Sequence, residues 1–311
     1  MRIVVRLPDE NIDFFMMLAF LHHLKQQYPK AIIDLIGLKK LSPLVALLPF
    51  EHNFHIFNPE KYPKTIDVHR FCYNLHDVFN VDIFFATDES FASSFMGFCF
   101  RAKQRIGFKG KWNTWLLSVK VIKEEASHRA QQYLNLLSAI SEKHFEPACV
   151  HSKRLVPYFD DWRENNYLFC SLKNISKEEL HPWFEYFRLS EHPKIVLNGD
   201  KELEAIISDF KNELSLEQKM FFVNEDHQAY LSLIQYAYCV ITDSVEEGLL
   251  ASYLRAPLIW LQKSNTLQNI FPIVDKNLIK VIEPDWGNRS SGWDWLLAAV
   301  KDLHRPQLKL I

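Results

Sequence analysis

Apolar and polar positions along this chain alternate in blocks that read as strands and helices in turn. Ile3-Val4-Val5 is a β-branched run ending at Arg6-Leu7-Pro8, and proline fits a strand exit. From Ile12 to Gln27, Phe14, Met17, Leu18 and Leu21 fall at i, i+3, i+4 and i+7, and Leu24 extends the stripe. That spacing predicts a helix, which Pro29 closes. Ala31 to Gly37 then predicts a second strand. Strand, helix and strand in this order form a βαβ unit with parallel strands.

The alternation continues. His55 to Phe57 reads as a short strand, Val81 to Ala86 as a stronger one, Ser90 to Arg101 as a helix, and Arg105 to Phe108 as a strand. Ser127 to Ser141 predicts an amphipathic helix with Tyr133, Leu134, Leu137 and Ile140 on one side. Between His144 and Asn166 the pattern breaks, and Pro147, Pro157 and the charged stretch from Asp160 read as a linker. A new series follows. Strands are predicted at Tyr167–Cys170, Lys194–Leu197, Phe221–Val223, Cys239–Thr242 and Leu258–Leu261. Helices are predicted at Glu202–Leu214, Tyr230–Tyr236, Glu246–Leu254 and Trp293–Leu303, and Ser176 to Glu179 has capping-box spacing. No internal repeat is visible.

Two such series predict an α/β protein of two Rossmann-like doubly wound domains, residues 1–155 and 156–311. In open parallel sheets, ligands bind outside the carboxyl ends of the strands. Two domains facing each other would place a ligand in a cleft between them.

Composition agrees. The chain has 311 residues, enough for two domains of roughly 150. It is 48% hydrophobic and 24% charged, with 24 Phe, so both halves can bury Phe-rich cores. The net charge of -2 does not suggest nucleic-acid binding. Five scattered cysteines without a CxxC pair read as reduced, buried thiols in a cytosolic protein. The opening MRIVVRLPDE has no signal-peptide pattern. The most apolar run, Phe14 to Leu21, is far shorter than the roughly 20 residues that span a bilayer. A soluble or peripheral protein is expected.

Particular stretches carry a family resemblance. Arg6-Leu7-Pro8-Asp9-Glu10-Asn11-Ile12-Asp13 before an apolar helix, followed by Tyr28-Pro29 and a strand, resembles the opening of the ADP-heptose:lipopolysaccharide heptosyltransferases, glycosyltransferase family 9. Ser90-Phe91-Ala92-Ser93, Arg105-Ile106-Gly107-Phe108-Lys109-Gly110 with Trp115-Leu116-Leu117, and His128 with Tyr133-Leu134-Asn135-Leu136-Leu137 resemble later motifs in order. Val240-Ile241-Thr242-Asp243-Ser244 and Ala256-Pro257-Leu258 resemble the family's D-S-G segment and its next strand.

The resemblance covers roughly the whole chain. It implies the GT-B architecture, a nucleotide-sugar donor similar to ADP-heptose, a lipid-linked glycan acceptor of the lipopolysaccharide core, inverting transfer and no metal or other cofactor. It implies a cytoplasmic location, with peripheral contact on the inner face of the inner membrane as an extension. The sequence contains no D-x-D triplet of the kind that holds a cation through diphosphate.

Inverting transfer needs a base within hydrogen-bond reach of the acceptor hydroxyl. Asp13 is the candidate, at the start of the first helix. The alternative role for an acid there is to complement the helix dipole, with Asp9 as the nearer cap. For the donor, Thr242, Asp243 and Ser244 open a helix after a strand, where backbone N–H groups can hold a diphosphate, or where Asp243 or Ser244 simply caps. Ser90 and Ser93 are expected to line the acceptor side. Arg101, Arg105 and Lys109 lie in a basic, aromatic stretch suited to an anionic acceptor, or to solvent.

The departures concentrate in the donor half. Ile12 stands where the family has glycine before Asp13, Val245 where it has glycine after Asp-Ser, and Gly248 where it has histidine. Glu246 and Glu247 would repel phosphate. Lys173 is the candidate replacement for a missing lysine. The rival expectation is therefore a non-catalytic GT-B scaffold that binds a glycan or a partner protein.

Overall fold

The computed structural model describes residues 1–75, 78, 80–141, 143–157, 167–172, 194–198, 220–222, 227–262, 267–272 and 278–282. The chain divides into two compact units, Met1–Val150 and His151–Ile311. The division falls inside the predicted break between His144 and Asn166.

The first unit runs β1 (Arg2–Arg6), α1 (Asn11–Gln27), β2 (Ile32–Gly37), a short 3-10 turn and α2 (Ser42–Val45), β3 (Asn53–Ile56), α3 (Thr65–Asn74), β4 (Ile83–Ala86), α4 (Phe91–Cys99), β5 (Gln104–Phe108), β6 (Val119–Val121) and α5 (Arg129–Ser141). Its sheet has the order β3-β2-β1-β4-β5-β6, and every pair is parallel. The second unit runs β7 (Tyr167–Ser171), β8 (Lys194–Asn198), β9 (Met220–Phe222), α6 (His227–Tyr236), β10 (Cys239–Thr242), α7 (Val245–Tyr253), β11 (Leu258–Leu261) and β12 (Ile279–Ile282). Its sheet order is β12-β11-β10-β7-β8-β9, also all parallel.

Each sheet reverses its order between its first and fourth strands, the Rossmann arrangement. The two units therefore repeat one topology with no visible sequence repeat. The predictions at 176–179, 202–214 and 293–303 lie outside the described residues.

Burial explains why these segments form. All of β1 after Arg2, and all of β4 and β10, is buried, as a strand covered on both faces requires. Helix α1 buries nine residues, including the consecutive run Phe14 to Leu21. It packs on α5 as well as beneath the sheet, so its apolar surface is wider than the one stripe read from the sequence. Phe20 meets Phe85 edge-on at 5.0 Å, and Phe14, Phe84, Phe108 and Phe169 are fully buried. Each such ring contributes about 1.5–3 kcal/mol by leaving water. Of the cysteines, Cys72, Cys170 and Cys239 are buried, but Cys149 is exposed; the expectation of a buried thiol fails there because residues 143–157 form no regular element that could cover it.

One polar cluster lies within the first sheet. Asp34 on β2 is fully buried and accepts from Arg2 Nε at 2.8 Å, His55 Nε2 at 2.9 Å and Asn53 Nδ2 at 3.0 Å. Burial raises its carboxyl, but these hydrogen bonds and the Arg2 charge outweigh burial and hold it below the ordinary range.

Candidate functional site

The strand order reverses between β1 and β4, and a pocket of about 430 Å³ opens where those two strands end. Arg6, Thr87 and Asp88 reach it from the strand ends, Asp13 from the first turn of α1, and Ser90 and Ser93 from the first turn of α4. Parallel strands carry their following helices back from this edge, so both helix starts meet at it.

Asp13 is held from α5. Its Oδ1 accepts from Arg129 Nη1 at 3.2 Å, and the Tyr133 phenol on the same helix lies close enough to feel its charge. Burial first, and then the Asp13 charge, push that phenol well above its ordinary value, so it remains a donor. The carboxylate is one-quarter exposed and faces the pocket. The N-cap of α1 is Glu10, with no side-chain cap hydrogen bond. Asp9, expected as a cap, instead accepts from Arg6 Nη2 at 2.5 Å. Arg6 is buried, also donates to the Leu7 carbonyl, and lies 5.4 Å from the Phe57 ring centre. It therefore fixes the loop between β1 and α1.

The second wall is a hydroxyl network. Ser90 caps α4 by accepting from the Ser93 backbone N–H at 3.1 Å. Ser90 Oγ donates to Ser93 Oγ at 2.9 Å, and Ser93 Oγ donates to Asp88 Oδ2 at 2.6 Å. Thr87 Oγ1 donates to the Arg6 carbonyl at 2.5 Å, joining β4 to β1. The pocket wall carries Asp9, Glu10, Asp13, Asp88 and Glu89 against Arg6 and Lys123, so its field favours hydroxyls and cations. Among the described residues, no group of His, Cys, Asp and Glu converges as metal ligands.

The structure thus brings Asp13, Ser90 and Ser93 together and leaves the three basic candidates elsewhere. Arg101 follows the last turn of α4 with φ 53°, at the opposite edge of the sheet. Arg105, at the start of β5, donates to the Leu116 and Ala102 carbonyls at 2.6 and 2.8 Å, which is a structural use. Lys109 is exposed just past β5 and does not line the pocket.

The second unit has its own strand-to-helix turn at the equivalent switch point, where β10 meets β7. Thr242 ends β10 and Ser244 caps α7, accepting from the Glu247 backbone N–H. Ser244 N–H donates to Thr242 Oγ1 at 3.0 Å, and Thr242 Oγ1 donates to Glu247 Oε2 at 3.3 Å. Glu247 is buried, and burial and then its charge push the nearby Tyr230 phenol upward. The Asp243 carbonyl accepts from Gln262 Nε2. A Cβ on Gly248 would collide with the Trp260 indole, whose Nε1 donates to the Ser244 carbonyl at 3.1 Å. Trp260 therefore fills the space beside the first turn that a larger residue at 248 would need. Val245 is half-exposed and Glu246 exposed. Lys173 lies outside the described residues.

Asp88, Arg129 and Lys123 escape the sequence reading. An acid directly after an apolar strand and before an N-cap serine was the available sign for Asp88. Nothing local marks Arg129, which is 116 residues from its partner.

No protein-family model matches the sequence, and comparison with curated proteins gives no match. Solved structures do match. A glycosyl transferase family 9 protein from Veillonella parvula is similar over 97% of this chain and 96% of its own, at 13% identity and a TM-score of 0.78. The Escherichia coli ADP-heptose lps heptosyltransferase II is similar over 97% and 98%, at 16% identity and a TM-score of 0.73. The E. coli heptosyltransferase WaaC with ADP is similar over 98% and 100%, at 10% identity and a TM-score of 0.71. At these identities the likeness establishes architecture: two parallel-sheet Rossmann-like domains of the GT-B type, the fold of the family 9 glycosyltransferases.

Proposed function

We propose that this protein is an inverting glycosyltransferase. It moves a heptose-like sugar from a nucleotide diphosphate to a hydroxyl of a lipid-linked, lipopolysaccharide-core-like acceptor, in the cytoplasm and without a metal. The observation that carries this reading is Asp13: a carboxylate at the sheet's switch point, facing a pocket and held by Arg129. In the reaction, Asp13 takes the acceptor hydroxyl proton as that oxygen bonds to the anomeric carbon. The bond from that carbon to the diphosphate breaks on the opposite face, and the nucleoside diphosphate leaves. Ser90 and Ser93, bonded to each other and through Ser93 to Asp88, hold neighbouring acceptor hydroxyls.

The leaving diphosphate belongs at the Thr242–Ser244 helix start, where backbone N–H groups and the helix dipole favour negative charge. Lys173 remains the sequence's candidate for a cation that the diphosphate would need. The E. coli heptosyltransferase WaaC was solved with ADP, which supports a nucleoside diphosphate as a ligand of this fold. Of the basic candidates only Lys109, exposed just past the carboxyl end of β5, remains to attract the anionic parts of the acceptor.

One observation favours the second reading, a GT-B scaffold that binds a glycan or partner protein without transfer. The Glu247 carboxylate lies on the Thr242 hydroxyl, at the helix end the donor would use. Calorimetry and thermal shift with ADP, GDP and UDP separate the two. Transfer requires at least one to stabilise the protein, by about 2.7 kcal/mol at a hundredfold excess over Kd. No shift with all three establishes the non-catalytic reading instead.

A further inference from the structure

Helix α4 has two working faces. Ala92, Ser93 and Met96 turn toward the pocket. Phe91, Phe95 and Phe98 follow the i, i+4, i+7 spacing on another face; Phe91 and Phe95 are half-buried, Phe95 partly against the core, and Phe98 is exposed. These rings form a continuous ladder: Phe95 lies 6.1 Å from Phe98 and 5.6 Å from Phe91, and Phe91 lies 6.2 Å from Trp115. Trp115 is 68% and Trp112 70% exposed. Single exposed hydrophobes are ordinary, whereas a contiguous aromatic ridge marks an interaction surface.

The loop that presents both indoles is pinned. Asn113, fully buried between them, donates to the Phe108 carbonyl and to Ser94 Oγ, each at 3.0 Å, and accepts from Gly110 N–H at 2.8 Å. Leu116 is fully buried. The tryptophans are therefore held outward while their neighbours anchor inward.

Charge identifies what the ridge meets. Residues 98–123 contain seven Lys and Arg and no Asp or Glu. Lys109, Lys111, Lys120 and Lys123 are exposed, and Lys111 Nζ lies 5.4 Å from the Trp112 ring centre. Ile122, just past β6, is 71% exposed. Indoles and rings interleaved with lysines suit the boundary between lipid headgroups and acyl chains, where indoles bury their apolar part and lysines reach anionic headgroups. No helix among the described residues is long and apolar enough to cross a membrane.

We infer that α4 and the 109–116 loop form a membrane-docking surface that seats on an anionic phospholipid bilayer, beside the pocket that the same helix lines. The surface is tested with lipid alone, so its failure leaves the transfer reading standing.

The experiment is flotation of the full chain with vesicles of phosphatidylcholine, and of phosphatidylcholine and phosphatidylglycerol at roughly 7:3. The inference predicts binding to the anionic vesicles that weakens as salt rises. Trp112→Ser with Trp115→Ser lowers vesicle affinity at least about tenfold. Lys109→Glu with Lys111→Glu does the same. Brominated lipid quenches tryptophan emission in the unaltered protein, a readout that needs no variant. Absence of flotation overturns the inference. So does vesicle binding that is unchanged in the tryptophan variant, or a ridge that proves to join two copies, with that variant converting a dimer to a monomer and leaving lipid binding intact.

Discussion

Arg129 Nη1 lies 3.2 Å from Asp13 Oδ1, tying the first turn of α5 to the first turn of α1. The pair is partly exposed, so it adds little to stability, under about 1 kcal/mol. Its value lies in holding in place a carboxylate that lines the pocket. Arg129→Ala is therefore expected to lower kcat about tenfold or more with a small change in KM, and to leave Tm nearly unchanged. Arg129→Lys recovers part of the loss. Steady-state kinetics beside a thermal melt checks both halves of this expectation.

Two groups set two pH windows of stability. His151 is pushed down to about 4, by burial and then by the Arg255 charge. The unfolded chain then binds the extra proton between about pH 4 and 6.5, so stability falls as pH drops through that range. Asp34 is held below the ordinary carboxylate range. Its contribution is present above about pH 4 and is lost as pH falls through its folded value. Denaturant titrations across pH should show His151→Gln flattening the upper window in the second unit and Asp34→Asn flattening the lower window in the first. Asp34→Asn also costs about 2–3 kcal/mol at neutral pH, because Arg2 and His55 lose their shared acceptor.

Gly248 and Trp260 form a matched pair, since any Cβ at 248 meets the indole. Gly248→Ala should destabilise by about 1–3 kcal/mol through overpacking. Trp260→Phe opens space and should recover part of that loss, so the double variant is less destabilised than the sum of the singles. Urea melts of the four proteins give the coupling directly.

On the proposed donor site, the Glu247 carboxylate at the start of α7 would repel a bound diphosphate. Replacing its charge by Glu247→Gln keeps a partner for Thr242 but removes the repulsion. A nucleoside diphosphate held at this helix start should bind about tenfold more tightly, a gain near 1.4 kcal/mol. Calorimetric affinity that is unchanged in the variant places the nucleotide elsewhere.

Much of this was legible in the sequence, for identifiable reasons. Strands such as Val81 to Ala86 and Cys239 to Thr242 are buried on both faces, so they appear as unbroken apolar runs. Edge strands are not: Val119–Val121 and Ile279–Ile282 are only partly covered and carry a lysine each, which hides them. Helix α3 escaped because Val68, Phe71 and Cys72 form too narrow a stripe in a polar segment. That Asp13, Ser90 and Ser93 come to one pocket is legible because helix starts after strands have recognisable residues and gather at one edge of the sheet. Arg129 and Tyr133 act on Asp13 only through the packing of α5 on α1, and that long-range contact has no local signature. The basic residues at 101 and 105 were grouped with the site by their neighbourhood in sequence, but the crossover of α4 carries them to the far edge of the sheet.

The most direct test of the account measures nucleoside diphosphate release from a panel of nucleotide sugars by the unaltered protein and by Asp13→Asn. Asparagine keeps the shape and the hydrogen bond from Arg129 but cannot take the acceptor proton. The account predicts turnover with at least one donor and a loss of about 10²–10⁴ in the variant, with an unchanged melting curve. Turnover that persists in Asp13→Asn contradicts it.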